Sequence, residues 1–549
     1  MRWRLFIAIC LLGVCVLCGP GLAQEAPPVA PVGAASSAPS PAQNQSLADI
    51  ARKLRKDDTN EVRMNAEDTK KLFETVDKIF AFAVEDTGMP KRAVVKRQLV
   101  SKADVEKFTS GRLAKEEFTQ RFAQGETSMK KLGFLPRDFN LREFLVKATG
   151  QQIAGYYDEE AKTISLLNWV PPDRQGPILA HELTHALQDQ NYDLKKWMKA
   201  TLKPSEKTGK EKLDKDSDKD NADDDASSAR HAVVEGQAMV VYVDYLLAPL
   251  GRNLQDTPGL IYQMEEPAVK AAPDSQLLHD APMILREAGS FAYNEGLIFE
   301  GELLHKGGKK MAFAGAFARP PRNTHEVLQP AAYINGEKLP AVHIPDMQQV
   351  LSNQYEVYDS GGIGELDVRA LLKQYGERKI ADELSSAWHG GRYVTYRRSN
   401  KSDTTALPTT ADLAVLYVSH WKSPQAAERF ARFYTSAVSQ RYKTAVPQAV
   451  AACAGAECPV SAAQISTEEG LVIVEQWAGN NSVIISESFD SATAAKLCAA
   501  VREDNVGAHA DNLGQDELNL RLYELPAFRD FQAAIGARIA QEVSLSSGR

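Results

Sequence analysis

Gly176-Pro177-Ile178-Leu179-Ala180-His181-Glu182-Leu183-Thr184-His185-Ala186-Leu187-Gln188-Asp189-Gln190 is the run that decides how the rest of this 549-residue chain is read. Two histidines stand four apart, with a glutamate directly after the first. On an α-helix, residues i and i+4 lie one above the other, so both imidazoles reach a single ion. Glu182 sits about a quarter-turn round the helix, where it faces the ion's open position and can take a proton from water. Apolar residues at 178, 179, 183, 186 and 187 predict that this helix is buried.

A site of this kind needs a third protein ligand. One known arrangement places a third histidine six residues after the second, with a glycine midway. Gln188 stands where that glycine belongs and Asn191 where that histidine belongs, so this arrangement is excluded. The other common solution is a glutamate on a separate, later helix. Residues 229–241 read as a mostly apolar helix with one acid, Glu235, in its interior. A carboxylate in that setting is costly unless it is paired or metal-bound. Ala232, Gly236 and Ala238 surround it with small side chains, which predicts close approach to the His181 helix. Glu235 is therefore the expected third ligand, with His231, one turn earlier, as its rival.

With these four residues in place, the chain resembles the gluzincin-type zincins. The match is carried by His181, Glu182, His185 and Glu235. Residues 130–335 are more broadly similar to a group of secreted bacterial proteins with a zincin domain and poorly defined substrates. That likeness rests on Leu132-Gly133-Phe134-Leu135-Pro136, Ile153-Ala154-Gly155-Tyr156-Tyr157-Asp158, the His181 helix, and Pro320-Pro321-Arg322-Asn323-Thr324-His325-Glu326. A long charged run between His185 and Glu235 departs from the pattern and loosens the spacing to that ligand. The resemblance implies one zinc ion per chain, a peptide or protein substrate, and hydrolysis by zinc-activated water with Glu182 as general base. Tyr156, Tyr157, Tyr293, His231 and His325 are candidate donors to the oxyanion.

Met1-Arg2-Trp3-Arg4, an apolar run to Cys18 and Gly21-Leu22-Ala23 have the form of a secretory signal peptide over residues 1–23. Leu12-Gly13-Val14-Cys15 comes nearest to a lipid-attachment signal, but valine stands at the critical place. The expected protein is exported, periplasmic or extracellular, with no later stretch able to span a bilayer. Losing Arg2 and Arg4 takes the formal charge from −8 to −10, which leaves no electrostatic footprint for nucleic acid. Of six cysteines, Cys453, Cys458 and Cys498 survive processing. Cys453–Cys458 is the easiest closure, with Cys458–Cys498 as the alternative.

Residues 24–46 read as a disordered linker and 47–350 as the zincin-like domain, its first part, to 148, helical. A hairpin is expected from 153–157 and 163–167, at the sheet edge where such enzymes pair with an extended substrate. Residues 201–228 carry nine acids and six lysines and read as a flexible insertion. Their aspartates lack the loop glycine and closing glutamate of a calcium-binding EF-hand. Helix is expected over 282–317, then a loop at Pro320-Pro321. From 351 to 549 the pattern is a separate, accessory α+β domain. Its expected helices are 367–375 and 425–442, its strands 392–396, 413–418, 471–475 and 482–487, and 518–539 is a final amphipathic stretch. The fold class is α+β. Two other functional classes fit the same residues: a non-catalytic envelope or scaffold protein, and a zinc hydrolase of cell-wall peptides.

Overall fold

The computed structural model describes residues 64–506, apart from 102, 106, 108–119, 145–155, 171–174, 200–216, 264–276, 278–279, 352–353, 400–407 and five positions between 451 and 457. The expected signal peptide, linker, first helix at 47–54 and final stretch at 518–539 lie outside the described residues.

Helix α1, Ala66–Thr87, starts at Asn65, whose side chain accepts from the Asp68 N–H, and ends at Gly88 with φ of 69°. Its buried stripe of Leu72, Val76, Ile79, Phe80 and Ala83 follows the helical period. Strand β1, Lys96–Val100, then interrupts the region expected to be helical. Its five residues are extended because they pair in parallel with a strand sixty-odd residues later, a contact no local pattern encodes. Helix α2 is Gln120–Leu132.

The expected hairpin is present as β2, Tyr156–Asp158, and β3, Thr163–Leu167, in antiparallel register with Tyr157 opposite Ile164. β3 lies at the centre of the β1-β3-β2 sheet and is buried along its whole length, which leaves β2 at the edge. Helix α3, Gly176–Tyr192, carries the histidine motif, with Pro177 in its first turn. It is buried on most sides, against α1, β3 and the long helix α4, Ser217–Leu247. α4 begins inside the charged run, so residues 217–228 are helical where a flexible insertion was expected.

α4 also passes against helix α5, Met283–Lys309, which runs on through a π-helical turn at Lys310–Gly315. Of the small residues around Glu235, Gly236 serves this crossing and not the approach to α3. A Cβ on Gly236 would lie 2.3 Å from the Gly296 carbonyl oxygen, and one on Gly296 would lie 2.4 Å from that of Ala232. Neighbours on a helix point about 100° apart, so with Glu235 turned to α3, Gly236 must face elsewhere. The 26 residues Asp225–Leu250 have the length and apolarity of a membrane span, contrary to the expectation that no later stretch does. Much of that stretch is buried in the core shared with α3 and α5. The short helix α6, Thr324–Leu328, follows the diproline loop.

The C-terminal part is built on a seven-stranded sheet of order β4-β5-β6-β10-β9-β8-β7. Its strands are Tyr355–Gly362, Trp388–Arg398, Leu413–Trp421, Ala445–Gln448, Ser461–Thr467, Gly470–Trp477 and Ser482–Glu487, numbered β4 to β10 in chain order. All neighbours are antiparallel. Helices α7, Glu365–Tyr375, and α8, Pro424–Arg441, pack on one face; α9, Ser491–Val506, packs on the other. Strands β4, β7 and β8 lie towards the two ends of the sheet and are mostly half-buried or exposed, so they lack the apolar runs that mark the other four. Cys453 is joined to Cys458, and Cys498 is free and buried.

The described residues mix helix and sheet, as the α+β class requires. The C-terminal sheet is not separate from what precedes it. Met129 and Leu132 of α2, with Phe134, Leu135, Leu141 and Phe144, share one core with Tyr417, Phe430 and Tyr434. The fully buried Lys131 reaches Glu469 and the Ser488 hydroxyl, both at 2.8 Å. A helix 220 or more residues upstream thus completes the sheet's core, which sequence position alone does not indicate.

Candidate metal centre

His181 and His185 lie one turn apart on α3, their Nε2 atoms 3.0 Å from each other. Glu235, midway along α4 and 1% exposed, brings its Oε2 to 3.2 Å from His181 Nε2 and 3.5 Å from His185 Nε2. Among the described residues this is the one group of three or more metal-ligating side chains whose donor atoms converge. A tetrahedral zinc site with bonds of about 2.0–2.1 Å needs its donors about 3.3 Å apart, and this triangle meets that requirement.

The unmet polar atoms point the same way. Both carboxylate oxygens of Glu235 and the Nδ1 of His181 are buried without a hydrogen-bond partner. Two imidazole nitrogens 3.0 Å apart cannot both carry a proton toward each other, so at least one lone pair faces the common centre. Burial alone would raise the Glu235 carboxyl, yet the charge of His185 and contacts to His181 hold it well below the usual carboxylate range. Burial likewise opposes a charged His185, but the Glu235 carboxylate lifts it to about 9. These three side chains attract positive charge into a dry site.

Glu182 follows His181 on the buried face of α3. Its Oε2 accepts from the Tyr157 backbone N–H at 2.8 Å, and burial pushes its carboxyl upward. The same tyrosine's hydroxyl donates to Asp189 at 2.8 Å, and Lys162 of the hairpin turn pairs with that aspartate. The edge strand β2 is therefore stapled to α3 at two points seven residues apart.

Of the five candidate donors, Tyr293 and His231 lie beside the centre. The half-buried Tyr293 stacks on His181 with ring centroids 6.3 Å apart. His231 is close enough to feel the charge of Glu235, while burial pushes its imidazole downward; it does not join the converging donors. The Tyr157 hydroxyl is committed to Asp189. Tyr156 is buried in a different cluster with Leu167 and Val170. His325 sits against Glu365 at 2.5 Å. Its neighbour Thr324 bonds Asp225, ten residues and about 15 Å along α4 from Glu235.

Two site residues were missed by sequence reasoning. Gln188 bonds His185 Nδ1 at 2.9 Å, and Gln237 bonds Gln188 at 3.1 Å. Gln188 had a signal, since it stands three residues after His185 on the same helix face. Gln237 had none, because its role depends on how α4 packs.

Residues 353–493 match a family described as Domain of unknown function (DUF8575), which covers all seven strands of the C-terminal sheet and neither α3 nor α4. No curated protein and no solved structure matches the chain.

Proposed function

We propose that this protein is an exported zinc-dependent metallopeptidase of the gluzincin type. The observation that carries the reading is the convergence of His181 Nε2, His185 Nε2 and Glu235 Oε2 within 3.0–3.5 Å, with Glu182 on the same helix as the histidines. Zinc held by these three would act as a Lewis acid, drawing electrons from a carbonyl or water oxygen and bringing the water's pKa toward neutrality.

The chain's own residues supply the rest. Glu182 accepts the proton of the attacking water and passes it to the leaving amine. Its buried position favours this exchange, because a carboxylate poorly solvated by water is a better base. The Tyr157 N–H holds its Oε2, which leaves Oε1 for the proton. β2, at the sheet edge beside Glu182, aligns an extended peptide by backbone pairing. Tyr293, next to His181, is placed to donate to the oxyanion. The amino-terminal signal pattern supports a periplasmic or extracellular setting for this chemistry.

Elemental analysis of gently purified protein, followed by assay on casein and on peptidoglycan, tests the reading. The expected result is about one zinc per chain and cleavage of casein. Protein that neither carries zinc nor takes it up on titration sinks the proposal. Zinc with cleavage of peptidoglycan alone moves the substrate to cell-wall peptides.

A further inference from the structure

We propose that Gln188 and Gln237 form a directional hydrogen-bond relay, anchored on the π-helical turn, that holds His185 in the tautomer whose Nε2 lone pair faces the centre. The inference rests on the metal site proposed above and concerns how the chain prepares one of its ligands.

The direction of the relay follows from groups that can act in one sense only. Gln237 Nε2 donates to the carbonyls of Ala312 and Phe313 at 2.9 and 3.1 Å. Both carbonyls belong to the π turn Lys310–Gly315, where an i→i+5 pattern displaces the backbone from the regular helical ladder. A carbonyl only accepts, so Gln237 must present its nitrogen to the turn and its oxygen to Gln188. Gln188 Nε2 then donates to that oxygen at 3.1 Å and to the Val234 carbonyl at 3.0 Å. Its own oxygen is left facing His185 Nδ1 at 2.9 Å. An acceptor there requires Nδ1 to carry a proton, so in the neutral ring that binds a metal Nε2 is the bare nitrogen. Both glutamines are fully buried, so water does not compete for these bonds. Reversing Gln237 would set its N–H against that of Gln188 and its oxygen against two carbonyls, and reversing Gln188 would set its oxygen against the Val234 carbonyl and the Gln237 oxygen. The buried Glu300 carboxyl is a further hydrogen-bond partner of Gln237.

His181 has no such support, for its Nδ1 is buried without a partner. His185 is thus the ligand whose proton is placed in advance. Partners of this kind change metal affinity by about 10–100-fold. Gln188 and Gln237 are positioning residues, since neither reaches the centre itself.

The test uses Gln188→Met, Gln237→Met and the double variant in the full chain. Each replacement keeps side-chain length and removes the amide. Gln188→Met is expected to weaken zinc binding about 10–100-fold, and Gln237→Met to weaken it by a smaller factor. The double variant should bind no worse than Gln188→Met, because the second loss acts only through the first; independent packing defects would multiply instead. Nitrogen-15 NMR of the histidine rings in metal-free wild type, at a pH where His185 is neutral, should show its proton at Nδ1, with a tautomer mixture in Gln237→Met. Wild-type affinity in both single variants, multiplied losses in the double, or a neutral His185 ring with its proton on Nε2 in the wild type overturns the relay. The ring spectrum needs neither a variant nor a metal. A wild type that takes up no zinc therefore defeats the peptidase reading while the spectrum still decides the relay.

Discussion

Two fully buried glutamates, Glu235 in the helical half and Glu487 in the C-terminal sheet, meet opposite surroundings. Glu487 receives four hydrogen bonds: from the Tyr434 hydroxyl at 2.7 Å, the Tyr442 hydroxyl at 2.6 Å, and two Arg441 nitrogens at 2.8 and 3.0 Å. Glu235 receives none, and its Oε2 lies 3.2 and 3.5 Å from the Nε2 atoms of His181 and His185. Both carboxyls are held below the usual range, the first mainly by Arg441 and Lys131 against burial, the second mainly by His185 against burial. The lesson is that a buried charge with every lone pair met is part of the architecture. One left open among other ligating atoms is a place for a cation.

The comparison predicts that removing each glutamate damages a different property. Glu235→Ala should abolish zinc retention and hydrolysis, while His231→Ala keeps the metal; zinc content after dialysis against a mild chelator decides between them. Zinc lost from His231→Ala but kept in Glu235→Ala would exchange their roles. Glu487→Ala should instead cost about 3–5 kcal/mol of stability by leaving Arg441 buried and unpaired, with zinc affinity of the folded fraction unchanged. Denaturant unfolding and zinc titration of the same sample measure both. A Glu487 variant as stable as wild type would break the contrast.

A smaller effect separates binding from chemistry within the centre. Glu182→Gln keeps side-chain size and removes the base, so zinc should stay bound while turnover falls by roughly a hundredfold or more. Equal turnover in the variant would remove Glu182 from the mechanism. The smallest expected effect is one of pH. Burial opposes the charge of Glu469, but Arg137 and Lys131 bring its carboxyl from the ordinary 4.5 down to about 2. A depressed folded-state value means that its contribution is complete above about 4.5 and is lost as pH falls toward about 2. Melting temperatures of wild type and Glu469→Gln should therefore differ at neutral pH and converge across that acid window. A gap that stays constant to low pH would mean the charge is not what stabilises this contact.

How far the sequence could be read depended on how local each feature is. The buried stripe of α1, the hairpin before the motif helix, the helix after residue 282 and the four central strands of the C-terminal sheet all follow from period and apolar content. β1 was not legible because a partner strand more than sixty residues away makes it extended. The edge strands β4 and β7 were missed for a related reason, since exposed polar positions carry no alternation to count. Residues 217–228 looked disordered by charge, yet they continue a helix whose later turns are deeply packed. At the site, Gln188 could be placed on the face of His185, whereas its partner Gln237 could not.

The sequence by itself determined that His181, Glu182 and His185 share one helix and can act on one ion, because helical period is a property of neighbours along the chain. It also narrowed the third ligand to Glu235 or His231 by the cost of burying a lone acid. Tertiary structure alone decided which of those two points at the histidines. It also decided that Gly236 serves the crossing with Gly296, and that α2 belongs to the C-terminal core. The direction of the Gln188–Gln237 relay was settled there too. Each depends on which helix face meets which other helix, and that is set by packing between segments the chain brings together only when it folds.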